Sequence, residues 1–313
     1  MSDTTPLILS FGSVNIDLTV RVDTFPKAGE TLHASNYAVG LGGKGANQAA
    51  AAARLCQSLP TQVALAARVG SDHFGAFAQD ALRAFGVETT PVYCDPDHPT
   101  GIALITVDRN GENCITVVGA ANMAVNEVDV EKNADWLKRA RILLLQLECP
   151  LASVAAAAAQ TRRTGGLVIL DPAPVPPEML PASLWQNVDI LTPNETETAL
   201  LTGIQPETAE QAAQAAQILL SKGARAIVVK MGGRGTYWHD GTQEGFIPPF
   251  KVIPIDTVAA GDCFNAGLAV ALSKDLPFPQ AVRFASACGA LATTRKGAAD
   301  AAPTWEDVQT LLA

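Results

Sequence analysis

The run Asp256-Thr257-Val258-Ala259-Ala260-Gly261-Asp262 sets a carboxylate at the start of a small-residue helix expected over 262–274. Gly261 lets a ligand approach the backbone closely. The free N–H groups of the following first turn suit an anion. An acid there is also favourable for the helix dipole, so Asp262 reads as a capping aspartate. The sharper reading is a carboxylate beside an anion hole, able to take a proton from a hydroxyl that attacks a phosphate. The stretch alone leaves both readings open.

Other polar groups fall where strands are expected to end. Asn15 and Asp17 follow the apolar run 7–14, Glu148 follows 141–147, and Asp171 closes 167–171. Ligand sites in open parallel sheets lie outside the carboxyl ends of strands, although Asn and Asp also favour turns. Asn194 and Glu197 after the strand 188–192 have the spacing of a capping box. Gly40, Gly42 and Gly45 match G-x-G-x-x-G, but the next expected strand, 61–69, ends without the acid that a dinucleotide site needs. Lys44 precedes Gly45, where a phosphate-binding P-loop requires Ser or Thr. What remains is a helix start with backbone donors, Lys44 and Asn47, suited to a hydroxyl-rich ligand or to tight helix–strand packing. Met231-Gly232-Gly233-Arg234-Gly235 is a glycine turn, fit for a nucleotide or for a hairpin.

The elements that must position these residues alternate. Strands are expected at 141–147, 167–171, 188–192 and 225–230. Helices are expected at 40–55, 73–86, 126–138, 151–164, 195–202, 207–221, 277–293 and 304–312. Such alternation implies an α/β fold around a parallel sheet with right-handed crossovers. Two hairpin-like pairs interrupt it. One joins 18–22 to 31–39 around Pro26 and Gly29, and the other joins 100–107 to 113–118 around Asn110-Gly111. Together they predict a small separate sheet that closes over the site as a lid.

Composition narrows the function. The chain has 313 residues, 48% hydrophobic and 17% charged, with a formal net charge of −9. An acidic chain without a basic run is a poor nucleic-acid binder. No stretch is long and apolar enough to span a membrane, and the N-terminus has no signal-peptide layout. The six cysteines lie singly among apolar neighbours, as expected of buried free thiols in a reducing cytoplasm. The four histidines are spread apart, which argues against a histidine metal site.

The motifs taken together resemble the ribokinase-like (PfkB) carbohydrate kinases, in order and over essentially the whole chain. They are Gly12-Ser13-Val14-Asn15-Ile16-Asp17, Gly42-Gly43-Lys44-Gly45-Ala46-Asn47-Gln48-Ala49, Gln146-Leu147-Glu148, Thr192-Pro193-Asn194-Glu195-Thr196-Glu197, Asp256–Asp262 and Thr294-Arg295-Lys296-Gly297-Ala298. Within the family, Gly42–Asn47 points to the ribose-phosphorylating members.

The resemblance implies one three-layer α/β sandwich over residues 1–313, with a mostly parallel central sheet. Its β lid is discontinuous, from about 16–40 and 100–119, and often dimerises. It implies ATP-dependent phosphorylation of the 5-hydroxyl of D-ribose. Asp262 would be the base, with backbone N–H groups of Ala260, Gly261 and Asp262 as the anion hole. Asn15, Asp17, Gly42, Gly43, Lys44, Asn47 and Glu148 would hold sugar hydroxyls. Asn194, Lys230, Gly232, Gly233, Arg234, Gly235, Gly261 and Ser286 match nucleotide-side positions. Asn194 and Glu197 would order Mg²⁺ through water. An activating K⁺ would sit on Asp256 and the carbonyls of Val258, Ala292, Arg295 and Gly297.

Three positions depart from the pattern. Ala301 stands where a hydroxyl often joins the K⁺ set, Lys230 where a threonine-like residue is common, and Ser286 where larger polar residues occur. Competing readings are a kinase of 2-deoxyribose, another pentose or a nucleoside, and a non-catalytic sugar-binding regulator on the same scaffold. An NAD-dependent oxidoreductase, suggested only by Gly40–Gly45, lacks its acidic partner.

Overall fold

The computed structural model describes residues 5–313, so the reading of the N-terminus over residues 1–4 lies outside it. The strands are β1 (Leu7–Phe11), β2 (Asn15–Arg21), β3 (Tyr37–Gly42), β4 (Gln62–Gly70), β5 (Val92–Asp95), β6 (Gly101–Val107) and β7 (Asn113–Val118). They continue as β8 (Ile142–Leu145), β9 (Leu167–Leu170), β10 (Ile190–Leu191), β11 (Ala226–Lys230), β12 (Thr236–His239) and β13 (Glu244–Ile247). Nine of them form one sheet in the order β13-β12-β11-β10-β9-β8-β1-β4-β5. From β11 to β5 the pairs are parallel, and β12 and β13 add an antiparallel edge.

The central strands are apolar on both faces because helices cover both. Alternation along β1 sends Ile8 to one core and Leu7, Leu9 and Phe11 to the other. The first core holds the helices Lys44–Leu55, Ala260–Ser273 and Phe278–Ala292, and the second holds Leu151–Arg163 and Ala209–Ser221. The result is the expected three-layer α/β arrangement. The alanine run of Lys44–Leu55 is buried on almost every side, since small side chains let that helix wedge between the sheet and Ala260–Ser273.

The remaining four strands form a second sheet in the order β3-β2-β6-β7. Two antiparallel pairs were expected and are present, β2 with β3 and β6 with β7. Parallel pairing of β2 with β6 joins them into one sheet.

Several boundaries differ from expectation. The strand expected at 31–39 starts at Tyr37, because pairing with β2 runs only from Asn15↔Gly42 to Val20↔Tyr37. Asn15 and Asp17 lie inside β2 and not in a turn. The helix expected at 126–138 breaks at Asn133, which ends Glu127–Lys132 and begins Ala134–Arg139. The strand expected at 188–192 reduces to Ile190–Leu191. The helix carrying Asp262 begins at Ala260. The edge strand β5 and the short helix Ala182–Trp185 had no sequence expectation.

Candidate active site

Because β11, β10, β9, β8 and β1 are neighbours, their carboxyl ends form a row. Along it stand Lys230, Asn194, Asp171, Gln146 with Glu148, and Ser13. The helix Ala260–Ser273 brings its first turn to this row. No side chain caps that helix, and its N-cap Ala259 is held in the left-handed region at φ 56. A non-glycine residue there costs about 1 kcal/mol or more, a strain that fits a functional backbone turn.

Asp262 is only 4% exposed. Its Oδ2 accepts from Asn47 Nδ2 at 3.2 Å and its Oδ1 from Gln48 Nε2 at 3.0 Å. Gln48 Nε2 also donates to Asp171 Oδ2 at 3.2 Å, and Gln48 Oε1 accepts from Gln146 Nε2 at 2.7 Å. Asp171 Oδ1 accepts from Lys230 Nζ at 2.9 Å. A continuous polar chain therefore runs from the helix start across the ends of β8, β9 and β11.

Burial pushes Asp262 up to about 6. The Lys44 ammonium opposes that rise, Asp171 adds to it, and the Gln48 and Asn47 amides oppose it. For Lys44 itself burial favours the neutral amine, but Asp262, Asp171, Glu148 and Glu197 outweigh it. They hold the ammonium above its ordinary range. Desolvation raises Glu197 as well, countered first by Lys230. Lys44 thus carries its charge into the middle of an acidic site.

A second group of residues lies toward the small sheet. Burial, then the nearby Glu148, raises Asp17 to about 6. Glu148 Oε2 accepts from Ser13 Oγ at 2.5 Å and from the Lys44 backbone N–H at 3.0 Å. Asn15 Oδ1 accepts from Asn122 Nδ2 at 2.8 Å, and Asn122 is itself fixed by both polar groups of Val14. The Asn15 side-chain N–H groups are left without a hydrogen-bond partner among the described residues. Asn47 Oδ1 is buried with no partner among the described residues, so the amide holding Asp262 retains an unused acceptor.

Two glycines make this corner possible. Gly43 has φ 86, which an L side chain rarely adopts. At Gly45 an added Cβ would lie 2.6 Å from Gly12 C and 2.7 Å from Ser13 N, both backbone atoms that cannot swing aside. Gly45→Ala is therefore expected to lower the unfolding free energy by about 2 kcal/mol or more. Urea denaturation of the two proteins measures it, and equal midpoints would show that the close approach is unimportant.

The nucleotide-side candidates are more dispersed. Gly232–Arg234 forms an exposed single turn before Gly235, and Arg234 pairs with Glu195 at 3.0 Å. Ser286 Oγ donates to Val282 O at 2.8 Å and lies 3.1 Å from Thr236 Oγ1. Among the described residues, no hydrogen bond joins Arg234 or Ser286 to the chain of contacts at Asp262. Asn194 and Glu197 exchange bonds in a capping box at the head of Glu195–Thr202. Asp256 Oδ1 accepts from Val258 N at 3.0 Å and Oδ2 from Gly297 N at 3.2 Å, clipping together the loops that hold the other K⁺ candidates. Ala301 places a fully buried methyl in the core where the resemblance looks for a hydroxyl.

Sequence reasoning missed Gln48 and Asn122, and gave Asp171 no role. Gln48 could have been found, because it lies four residues after Lys44 on the same helix face. Asp171 carried the same strand-end signal as Glu148. Asn122 had none, since it reaches Asn15 only through the fold.

Comparison with known proteins agrees with this geometry. The pfkB family carbohydrate kinase profile matches residues 5–305. Ribokinase of Haemophilus influenzae is 37% identical over 301 residues, covering 96% of each chain. Deoxyribokinase of Salmonella typhi is 35% identical over 305 residues, covering 97% of this chain and 98% of that one. Among solved structures, Arabidopsis thaliana ribokinase complexed with ribose and ATP superimposes with a TM-score of 0.91. It is 34% identical and covers 99% of both chains. A buried aspartate at an uncapped helix start, the sheet that presents it and these matches agree that the chain belongs to the pfkB family of carbohydrate kinases and is a sugar kinase.

Proposed function

We propose that this sugar kinase transfers the γ-phosphoryl group of ATP to the 5-hydroxyl of D-ribose, with Asp262 as general base. The observation that carries the reading is Asp262 itself, buried, pinned by Asn47 and Gln48, and sitting in the first turn of an uncapped helix. That the Arabidopsis ribokinase is described with ribose and ATP bound supports the substrate pair.

Phosphoryl transfer depends on positioning and charge stabilisation more than on covalent help. The N–H groups of Ala260, Gly261 and Asp262 receive the moving phosphoryl oxygens. Asp262, ionised above about 6, takes the proton of the attacking hydroxyl. Asp17, Glu148, Lys44, Asn47, Asn15 and the backbone at Gly42 and Gly43 hold the sugar so that this hydroxyl faces the helix start. Lys230 and the turn Gly232–Gly235 lie on the nucleotide side, with Ser286 beside them.

A divalent cation suits the site, because Asp171, Glu197, Asp262, Glu148 and Asp17 outnumber Lys44 and Lys230 before any phosphate arrives. Asn194 and Glu197 would hold Mg²⁺ through its waters, and the ion supplies charge neutralisation on the phosphate oxygens. One carboxylate and several carbonyls on two clipped loops suit a monovalent cation. Asp256, Val258, Ala292, Arg295 and Gly297 would hold K⁺ without a hydroxyl from Ala301.

We also read the chain as one domain whose second sheet, with about 16–40 and 100–119, is its lid. The β2–β3–β6 register puts Tyr37, Val39 and Leu104 on faces of one parity, opposite to that of Asp17. These apolar residues are exposed, Tyr37 by 76%, and support a homodimer through the lid. A dimeric mass in solution is its check.

The deoxyribokinase relative makes 2-deoxyribose the competing substrate. The free amide N–H of Asn15 favours ribose, since a donor aimed at the 2-hydroxyl is left unpaired by the deoxy sugar. ATP turnover across a pentose panel, with and without K⁺, is expected to show ribose ahead of 2-deoxyribose by at least about tenfold in kcat/KM. Equal values for the two sugars would remove the preference, and no pentose turnover would remove the function.

A further inference from the structure

We propose that Asp171 and Lys230 act as a positioning pair for phosphoryl transfer, with Asp171 tethering the Lys230 ammonium beside the first turn of Ala260–Ser273. The proposal rests on the reading of that helix start as the phosphoryl site.

Lys230 ends β11, and its backbone N–H is fixed to Pro193 O at 2.8 Å. Its side chain is 13% exposed, and Nζ reaches across the row to Asp171 Oδ1 at 2.9 Å. In that position Nζ lies 3.4 Å from where a Cβ on Gly261 would stand, so the charge borders the helix start directly. An ammonium has three donors, so Lys230 can keep donating to Asp171 on one side and donate to a phosphoryl oxygen on the other. Asp171 is 2% exposed, and among the described residues its side chain bonds only to Lys230 and Gln48.

The second oxygen of Asp171 explains why a carboxylate stands there. Gln48 has a fixed amide sense, because Oε1 accepts from Gln146 and Nε2 donates to both Asp262 Oδ1 and Asp171 Oδ2. Asp171 and Asp262 therefore share one amide, and the ion pair is braced against the same group that orients the base. Without Asp171 the ammonium would be free to turn to other carboxylates, of which Glu197 already feels its charge. Asp171 thus keeps one positive charge where the transferred group passes and away from competing acids.

The test is a set of three variants assayed with ATP and D-ribose. Lys230→Met is expected to lower kcat at least about tenfold, as loss of a charged donor to a developing anion does. The sugar KM should stay within about threefold, since uniform sugar binding is untouched. Asp171→Asn keeps an acceptor for Gln48 but releases the ammonium, and its kcat should also fall. The double variant Asp171→Asn/Lys230→Met should lose no more than Lys230→Met alone, because neither charge is left buried without its partner. A double variant whose loss is the product of the single losses overturns the pairing. So does a Lys230→Met enzyme with near-normal kcat, even if its melting temperature falls, because that assigns the pair to stability. A parent chain that phosphorylates no pentose fails one step earlier, on the function itself.

Discussion

Asp262→Asn is expected to lower kcat at least about 100-fold, the scale of a positioned acid–base group, and at the same time to stabilise the protein. The first effect follows from geometry. Asn keeps the shape of the side chain and an acceptor for Gln48, but it cannot take the hydroxyl proton. As the base, Asp262 is expected to give the parent enzyme an acid limb near pH 6, and the residual activity of the variant should lack that contribution.

The stabilisation follows from burial. The folded state raises Asp262 from 3.8 to about 6, so the fold binds its proton more tightly than the unfolded chain does. Above about pH 6 the buried charge therefore destabilises the fold, by about 3 kcal/mol at 1.36 kcal/mol per unit of pKa. That penalty fades as pH falls through 6 toward 3.8, where both states are protonated. Asp262→Asn should accordingly melt about 5 °C higher than the parent at pH 8, with the gap closing by about pH 4. Kinetics and thermal melts on the same two proteins check both halves. Near-normal turnover would end the assignment of the base, and an unchanged melting temperature at pH 8 would show that the charge is not desolvated.

Lys44→Met is the second large effect, and its signature is electrostatic. Lys44 is the ammonium set among Asp262, Asp171, Glu148 and Glu197. Removing one partner of a buried charge group costs about 3–5 kcal/mol, because the others are left uncompensated. In kcat/KM the loss is expected to reach about 100-fold, on the scale of a deleted charge-stabilising donor. The direction of the pH effect is fixed. Lys44 holds the pKa of Asp262 down, so without it the acid limb should move to higher pH. Stability should move the other way from the Asp262→Asn case. Carboxylates with still higher folded pKa values take up protons as pH falls, so Lys44→Met should be least stable at pH 8 and recover toward pH 5. A pH–rate profile and melts at the two pH values measure this. An acid limb that stays in place would separate Lys44 from the base.

Much of this site could be read along the chain, because the signals are local. Gly261 with Asp262, the Asn194–Glu197 box and the glycines before Lys44 each state a backbone geometry within a few residues. The box formed as expected, and both helices are present with shifted starts, at Ala260 instead of Asp262 and at Lys44 instead of Gly40, because Gly40 and Gly42 belong to β3. The alternation of apolar strands and helices likewise determined the α/β class. The strand failures share a cause, which is dependence on a distant partner. β3 begins at Tyr37, where its pairing with β2 ends at Val20, and β5 is defined by its pairing along the edge of β4.

The start of the helix at Asp262 shows both halves. The sequence by itself determined that an acid would stand in the first turn of a helix, and left its role between cap and base. Only the tertiary structure decided what surrounds it. Gln48 joins Asp262 to Asp171 across 214 and 123 residues of chain, and Asp171 holds Lys230 across a further 59. No local spacing encodes such contacts. They arise because a parallel sheet gathers the carboxyl ends of distant strands into one row, where burial turns their polar side chains into a single charged network.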